Sequence, residues 1–193
     1  MTEFNESKQQ VFISYAANSW VKKGTTLANQ GRYEEALRSY EKAFELDPYN
    51  FCAWYNKART LVNLGRYEEA LQAYDTTLKL NLDDSDAWNR KGLALHYLDR
   101  YEEALQAYDR SLELKPDAFV AWFNKGIALT DLGRDGEALQ AYEKVLALNP
   151  EDSDAWCNKG KALDNLGRYE EARQAYDKAF ELSPEDSDTW CNS

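Results

Sequence analysis

The sequence predicts an all-α fold, a solenoid of stacked helix-turn-helix hairpins, and three observations predict it. All six tryptophans (Trp20, Trp54, Trp88, Trp122, Trp156 and Trp190) recur at a constant spacing of 34 residues, and a fixed period of roughly 20–50 residues is the signature of a repeat array. Within one period the apolar residues fall at helical steps. Trp88, Gly92, Leu95 and Leu98 mark a first segment, and Tyr101, Ala104, Leu105, Tyr108, Ser111 and Leu112 a second. Between the segments stands a helix stop such as Leu166-Gly167-Arg168, with glycine just past the last turn.

The elements follow in chain order. Residues 1–16 form an N-terminal tail and an extension of the first helix. Phe12, Tyr15, Ala16, Ser19, Trp20 and Leu27 continue a helical stripe, and neither proline nor glycine intervenes between Ser7 and Gly24. That helix is expected to begin near residue 8 and to cap its end of the array in part, with residues 1–6 loose. Five units follow, 17–50, 51–84, 85–118, 119–152 and 153–186, and 187–193 is the truncated start of a sixth. Counting each unit from one places tryptophan at position 4. Position 8 reads Gly24, Ala58, Gly92, Gly126, Gly160, and position 11 is leucine throughout, from Leu27 to Leu163. Position 20 is alanine (Ala36 to Ala172) and position 24 tyrosine (Tyr40 to Tyr176). Small residues at 8 and 20 let helix backbones approach, and the aromatics fill the space on either side. A single hairpin cannot bury its inner stripe, so neighbours must stack to close the core.

Some positions break the pattern. Leu82 stands at position 32 where Pro48, Pro116, Pro150 and Pro184 stand elsewhere, so the second helix of unit two is expected to run on. Asp135-Gly136 replaces the Tyr-Glu that opens the other second helices, and fraying is expected there. Asp99 takes the stop-glycine slot of unit three at a small conformational cost.

The tryptophan, small, leucine, alanine, tyrosine and proline positions together resemble the tetratricopeptide repeat (TPR) over 17–186. The resemblance implies a right-handed α-solenoid that serves as a protein–protein interaction scaffold, with first helices lining a concave groove. Position 6, on the groove side, reads Lys22, Asn56, Arg90, Asn124, Asn158, Asn192. An amide offers one acceptor and two donors, matching an extended peptide backbone. Such a ladder is similar to the asparagine-lined superhelix of O-linked N-acetylglucosamine transferases. The alternative is that these amides bond to local backbone or water. Tyr55, Leu93, Val120, Phe123 and Ile127 are surplus to the core positions and read as an apolar floor, with Arg59 and Arg90 beside it and Lys161 at position 9 of unit five. The partner is then an extended or helical protein or peptide segment anchored near Phe123. The carboxylate clamp of chaperone-binding TPR domains is absent: its five positions read Val21, Thr25, Asn56, Asp86 and Arg90, and only Asn56 and Arg90 match. Position 7 is lysine in all five full units (Lys23, Lys57, Lys91, Lys125, Lys159), read as snorkelling stems with surface ion pairs.

Composition narrows the functions further. A formal net charge of −11 opposes nucleic acid and anionic lipid, and no run of about 18 apolar residues offers a membrane span. The expected location is cytoplasmic. Three cysteines (Cys52, Cys157, Cys191) and the lone His96 make no metal site, and no cofactor is expected. Cys157 and Cys191, one helix spacing of about 8–10 Å apart, are expected to be free thiols. The chain shows no nucleophile–base set and no phosphate loop, so it reads as no enzyme. Two alternatives to a free-standing scaffold stay open: the substrate-recruiting arm of a larger enzyme such as a glycosyltransferase, and a self-assembly module associating through the uncapped C-terminal end.

Overall fold

The computed structural model describes residues 2–184, with side chains from residue 11 onward; the sixth-unit start at 187–193 lies outside the described residues. These form ten α-helices and, among the described residues, no strand. They fall into two compact units, Met1–Leu98 and Asp99–Ser193. The first holds α1 (Thr2–Asn29), α2 (Tyr33–Leu46), α3 (Phe51–Asn63), α4 (Tyr67–Leu80) and α5 (Ser85–His96). The second holds α6 (Tyr101–Leu114), α7 (Phe119–Asp131), α8 (Asp135–Leu148), α9 (Ser153–Asn165) and α10 (Tyr169–Leu182).

Each helix has a local cause. Asn50, Asp84 and Asp152 precede α3, α5 and α9, and their side chains accept from the N–H groups of Ala53, Ala87 and Ala155 at 3.0, 2.7 and 2.8 Å. Capping of this kind contributes about 1 kcal/mol per helix. The second helices start differently. The residue before each, from Arg32 to Arg168, grips the glutamate three residues on in a two-pronged pair, as in Arg168 Nε and Nη2 to Glu171 at 2.8 and 2.6 Å. First helices stop where the chain turns left-handed: Gly167 has φ 73° and Asp99 φ 57°. Asp99 therefore does take the glycine conformation, and its carboxylate accepts from the Tyr101 hydroxyl at 2.7 Å.

Three expectations are corrected. Leu82 does not lengthen α4, which spans the same 14 residues as the other second helices. Asn81 holds the turn, accepting from Asp83 N at 3.2 Å, and the Leu82 carbonyl is used as its proline counterparts are. α8 begins at Asp135 in register, because Arg134 still pairs with Glu137 at 2.7 Å. At the N-terminus, α1 reaches back to Thr2 rather than starting near residue 8, and Phe12 and Tyr15 lie 71 % and 76 % exposed. With nothing packed over them, that stripe does not close the end of the stack.

Within each unit, consecutive helices pack as antiparallel hairpins and hairpins pack on one another. Successive first helices also touch, α1 with α3, α3 with α5, and α7 with α9, which places them on the inner side of each stack. The crossing is close. A Cβ on Gly126 would lie 2.5 Å from the ring of fully buried Tyr142, so this crossing is made for glycine. Each of the five described tryptophans, from Trp20 to Trp156, is half-buried. Trp156 packs against two buried clusters, Leu139, Leu163, Ala172 and Ala175 on one side and Val145, Leu146 and Ala155 on the other.

The tryptophans carry a second link. Trp54, Trp88, Trp122 and Trp156 donate Nε1–H to the carbonyls of Pro48, Leu82, Pro116 and Pro150 at 2.9, 2.8, 2.9 and 2.9 Å. Each fastens the start of one hairpin to the connector before it. The position-7 lysines lie over these rings at 4.8–5.3 Å. Lys91 and Lys125 also reach carboxylates of the preceding second helix, Asp75 at 2.7 Å and Asp109 at 2.6 Å. These lysines are bound into the seam, as stems over the indoles with ion pairs at their ends.

Candidate functional site

In the first unit, Tyr55 is the centre of a polar cluster. Its hydroxyl donates to Asp86 Oδ2 and accepts from Arg90 Nε at 2.6 Å, and Arg90 Nε also reaches Asp86 at 3.0 Å. Burial and the hydrogen bond to Asp86 push the Tyr55 phenol up to about 12. Arg59 and Arg90 flank the ring at 5.9 and 6.0 Å, and Tyr74 meets it edge-on at 6.3 Å. Tyr55 is therefore less an apolar floor than a hub for two guanidinium groups. Asp86, the wrong-charge residue of the clamp comparison, holds Arg90 in place.

Arg59, Asn63, Arg90 and Leu93 border a pocket of about 180 Å³ together with Val62, Tyr74 and Tyr97. A second, water-sized pocket of about 30 Å³ lies beside Asn56, under Tyr40 and Ala28.

In the second unit, Phe123 meets Tyr142 edge-on at 6.2 Å and packs against the Val145, Leu146 and Ala155 cluster. It is half-buried, so part of the ring belongs to the core. Ile127 and Asn124 are half-buried beside it, while Val120 and Lys161 are exposed. Lys161 makes no ion pair among the described residues.

Tyr55 and Phe123, read from the sequence as surplus to the core, stand at position 5, and that position lies partly within the core. Val21 and Asn89 are buried there, and Tyr55 and Phe123 both turn their rings onto the position-24 tyrosine of their own hairpin. The alternation that would reveal this is present in the sequence, since each large position-5 ring faces a tyrosine 19 residues on.

The position-6 amides have a local bond as well. Asn56 Nδ2 donates to Cys52 O at 2.8 Å and Asn158 Nδ2 to Asp154 O at 2.8 Å. Each bond uses one N–H, fixes the plane of the amide and leaves the second N–H and Oδ1 available. Cys52 is a free, exposed thiol, whereas Cys157 is disulfide-bonded, against the expectation of a free thiol. An average helix spacing does not set the distance between two particular cysteines. Cys191 lies outside the described residues. No group of histidine, cysteine and acidic side chains that could hold a metal occurs among the described residues, and no described helix is long and apolar enough to cross a membrane.

This geometry defines a class, the helical-hairpin repeat solenoids. Models of the tetratricopeptide repeat match residues 17–50, 55–119, 97–150 and 123–187, and the chain belongs to that family. Solved structures agree on the fold. YrrB, described as "a TPR protein with an unusual peptide-binding site", is 27 % identical with a TM-score of 0.75, over 95 % of this chain and 92 % of that one. MamA (41 to the end) from Desulfovibrio magneticus RS-1 is 24 % identical with a TM-score of 0.82, over 88 % and 96 %. PilF of Pseudomonas aeruginosa is 24 % identical with a TM-score of 0.78, over 89 % and 78 %. No curated protein sequence matches this chain.

Proposed function

We propose that this chain is an interaction scaffold that holds a peptide segment against the inner faces of its first helices. The observation that carries this reading is the pair of half-exposed amides, Asn56 and Asn158, each oriented by a bond to its own helix and each with donor and acceptor capacity left over. A peptide backbone presents the complementary groups at every residue, so amides of this kind grip main chain and leave selection to their neighbours. Phe123, Val120 and Ile127 supply the apolar contact in the second unit, with Asn124 beside them and Lys161 one turn beyond Asn158. The similarity to YrrB, which is described as peptide-binding, supports the same reading. It holds equally for a free-standing scaffold and for the substrate-recruiting arm of a larger enzyme.

The test is capture of peptides from an immobilised random-peptide array by the full chain. The double variant Phe123→Ala, Asn124→Ala is expected to lose about tenfold in retention with little change in helicity. Full-strength capture by that variant overturns the reading. Self-assembly is the competing occupant, and exposed Phe12 and Tyr15 on α1 give it a surface. Light scattering across a hundredfold range of concentration separates the two, since a mass that rises with concentration favours a second copy.

A further inference from the structure

In two hairpins the position-24 tyrosine hydroxyl finds its hydrogen-bond partner on the first helix of the same repeat. Tyr142 shares a hydrogen bond with Thr130 at 3.2 Å, and Tyr176 donates to Asp164 at 2.9 Å. Both partners stand at position 12 of their units. In the repeat 51–84 that position is Val62, which has no polar group, and the Tyr74 hydroxyl makes no hydrogen bond among the described residues. Yet Tyr74 is only 1 % exposed, and it lines the 180 Å³ pocket. Its hydroxyl opens onto that pocket and has a proton to donate there, so a group that enters can accept a hydrogen bond from it.

The other polar groups around it, Arg59, Asn63, Arg90 and the Tyr97 hydroxyl, can donate as well. Arg59 has no ion pair among the described residues, and it contributes a whole guanidinium. Among the described residues both hydrogen bonds of Arg90 leave from Nε, so its two Nη groups remain open. Asn63, one turn after Arg59 on α3, adds an amide. Asp86 neutralises one guanidinium only, and the pocket keeps a surplus positive charge on a chain whose net charge is −11. Leu93 and Val62 form an apolar wall. The volume is below the roughly 300–1,000 Å³ of ordinary small-molecule sites and suits one side chain.

We propose that this pocket receives an acidic side chain, glutamate by its reach, from a peptide lying on the first helices. The carboxylate sits between Arg59 and Arg90 with the Tyr74 hydroxyl donating to it, and the methylene stem lies on Leu93 and Val62. Arginine favours carboxylate through paired, charge-assisted hydrogen bonds. This deepens the scaffold reading and rests on it. It is a different arrangement from the carboxylate clamp, of which Arg90 alone takes part.

The experiment uses the full chain and a positional-scanning array of C-terminally amidated dodecapeptides, one position fixed and the others randomised. Wild-type protein is expected to retain peptides with fixed glutamate about fivefold over fixed glutamine at one position, and Arg59→Gln to bring that ratio to about one. Val62→Thr, which supplies Tyr74 with the partner that Thr130 gives Tyr142, is expected to lower the ratio without lowering the melting temperature. A wild-type ratio of one, or a ratio unchanged in both variants, overturns the acidic-pocket assignment and leaves the scaffold reading standing. No retention of any peptide overturns both. Retention that appears only with free C-termini also overturns the assignment, in favour of a terminal carboxylate.

Discussion

Replacing Trp156 separates what its ring fills from what its N–H ties. Truncation to alanine removes the side chain that touches two buried clusters, Leu139, Leu163, Ala172 and Ala175 and then Val145, Leu146 and Ala155. A large aromatic removed from such a setting costs about 3–5 kcal/mol. Phenylalanine keeps much of the filling and loses the 2.9 Å bond to the Pro150 carbonyl, worth about 1 kcal/mol. It also weakens the attraction of Lys159, whose Nζ lies 5.1 Å from the ring centroid, by up to about 0.5–1 kcal/mol. Water can satisfy the freed carbonyl, so no further penalty is expected, and Trp156→Phe should cost about 1–2 kcal/mol. Urea unfolding followed by circular dichroism measures both, with the slope checked so that partial unfolding of an array is not read as lost stability. A phenylalanine variant as damaged as the alanine variant would refute the division between filling and tying. An alanine variant within about 1 kcal/mol of wild type would refute the placement of tryptophan at the seam.

Further outcomes follow from other parts of the fold. Asp99→Gly relieves a left-handed residue at about 1–2 kcal/mol but deletes the bond from Tyr101, of about 0.5–1.5 kcal/mol, so a net gain of about 0.5 kcal/mol is expected in the same urea assay. Lys125→Met removes the Asp109 ion pair, which is partly exposed; the loss should be about 0.2–1 kcal/mol and shrink at 1 M salt, measured as the urea midpoint at two ionic strengths. Burial holds the Tyr142 phenol at about 12, as burial and Asp86 hold Tyr55. These raised values mean that the fold prefers the protonated phenol. The stabilisation is complete below the unfolded value of about 10 and is lost as pH rises from there through about 12. Urea midpoints taken from pH 8 upward should therefore fall steeply in that window, and less steeply for the double variant Tyr55→Phe, Tyr142→Phe.

Fold and register were legible because a solenoid writes its core once per repeat. Trp54, Trp88 and Trp122 share one environment, so their spacing alone reports it, and glycine or Asp99 marks each left-handed stop by the same logic. The candidate site was legible only in outline. Asn56 and Asn158 were placed on the inner helix face, but whether an amide bonds to its own helix depends on a rotamer, which spacing does not encode. Tyr55 was read as apolar surface because its partners, Asp86 and Arg90, lie about one repeat away in sequence, and no single-unit pattern joins them. The consequence of Val62 was missed for a similar reason. A valine at position 12 matters only beside the tyrosine 12 residues on, and comparison with Thr130 and Asp164 was needed to see what it withholds.

The indole-to-connector bond has a mechanical consequence. Because Trp122 clasps Pro116 and Trp156 clasps Pro150, a hairpin of the second unit is latched to the one before it by its own first turn. Pulling on the chain end should then undo the array in discrete steps, the last hairpin peeling away before the one it is hooked to. A partner that presses on the inner face of two neighbours loads the same latches in compression, so the clasped connectors behave as hinges with a stop.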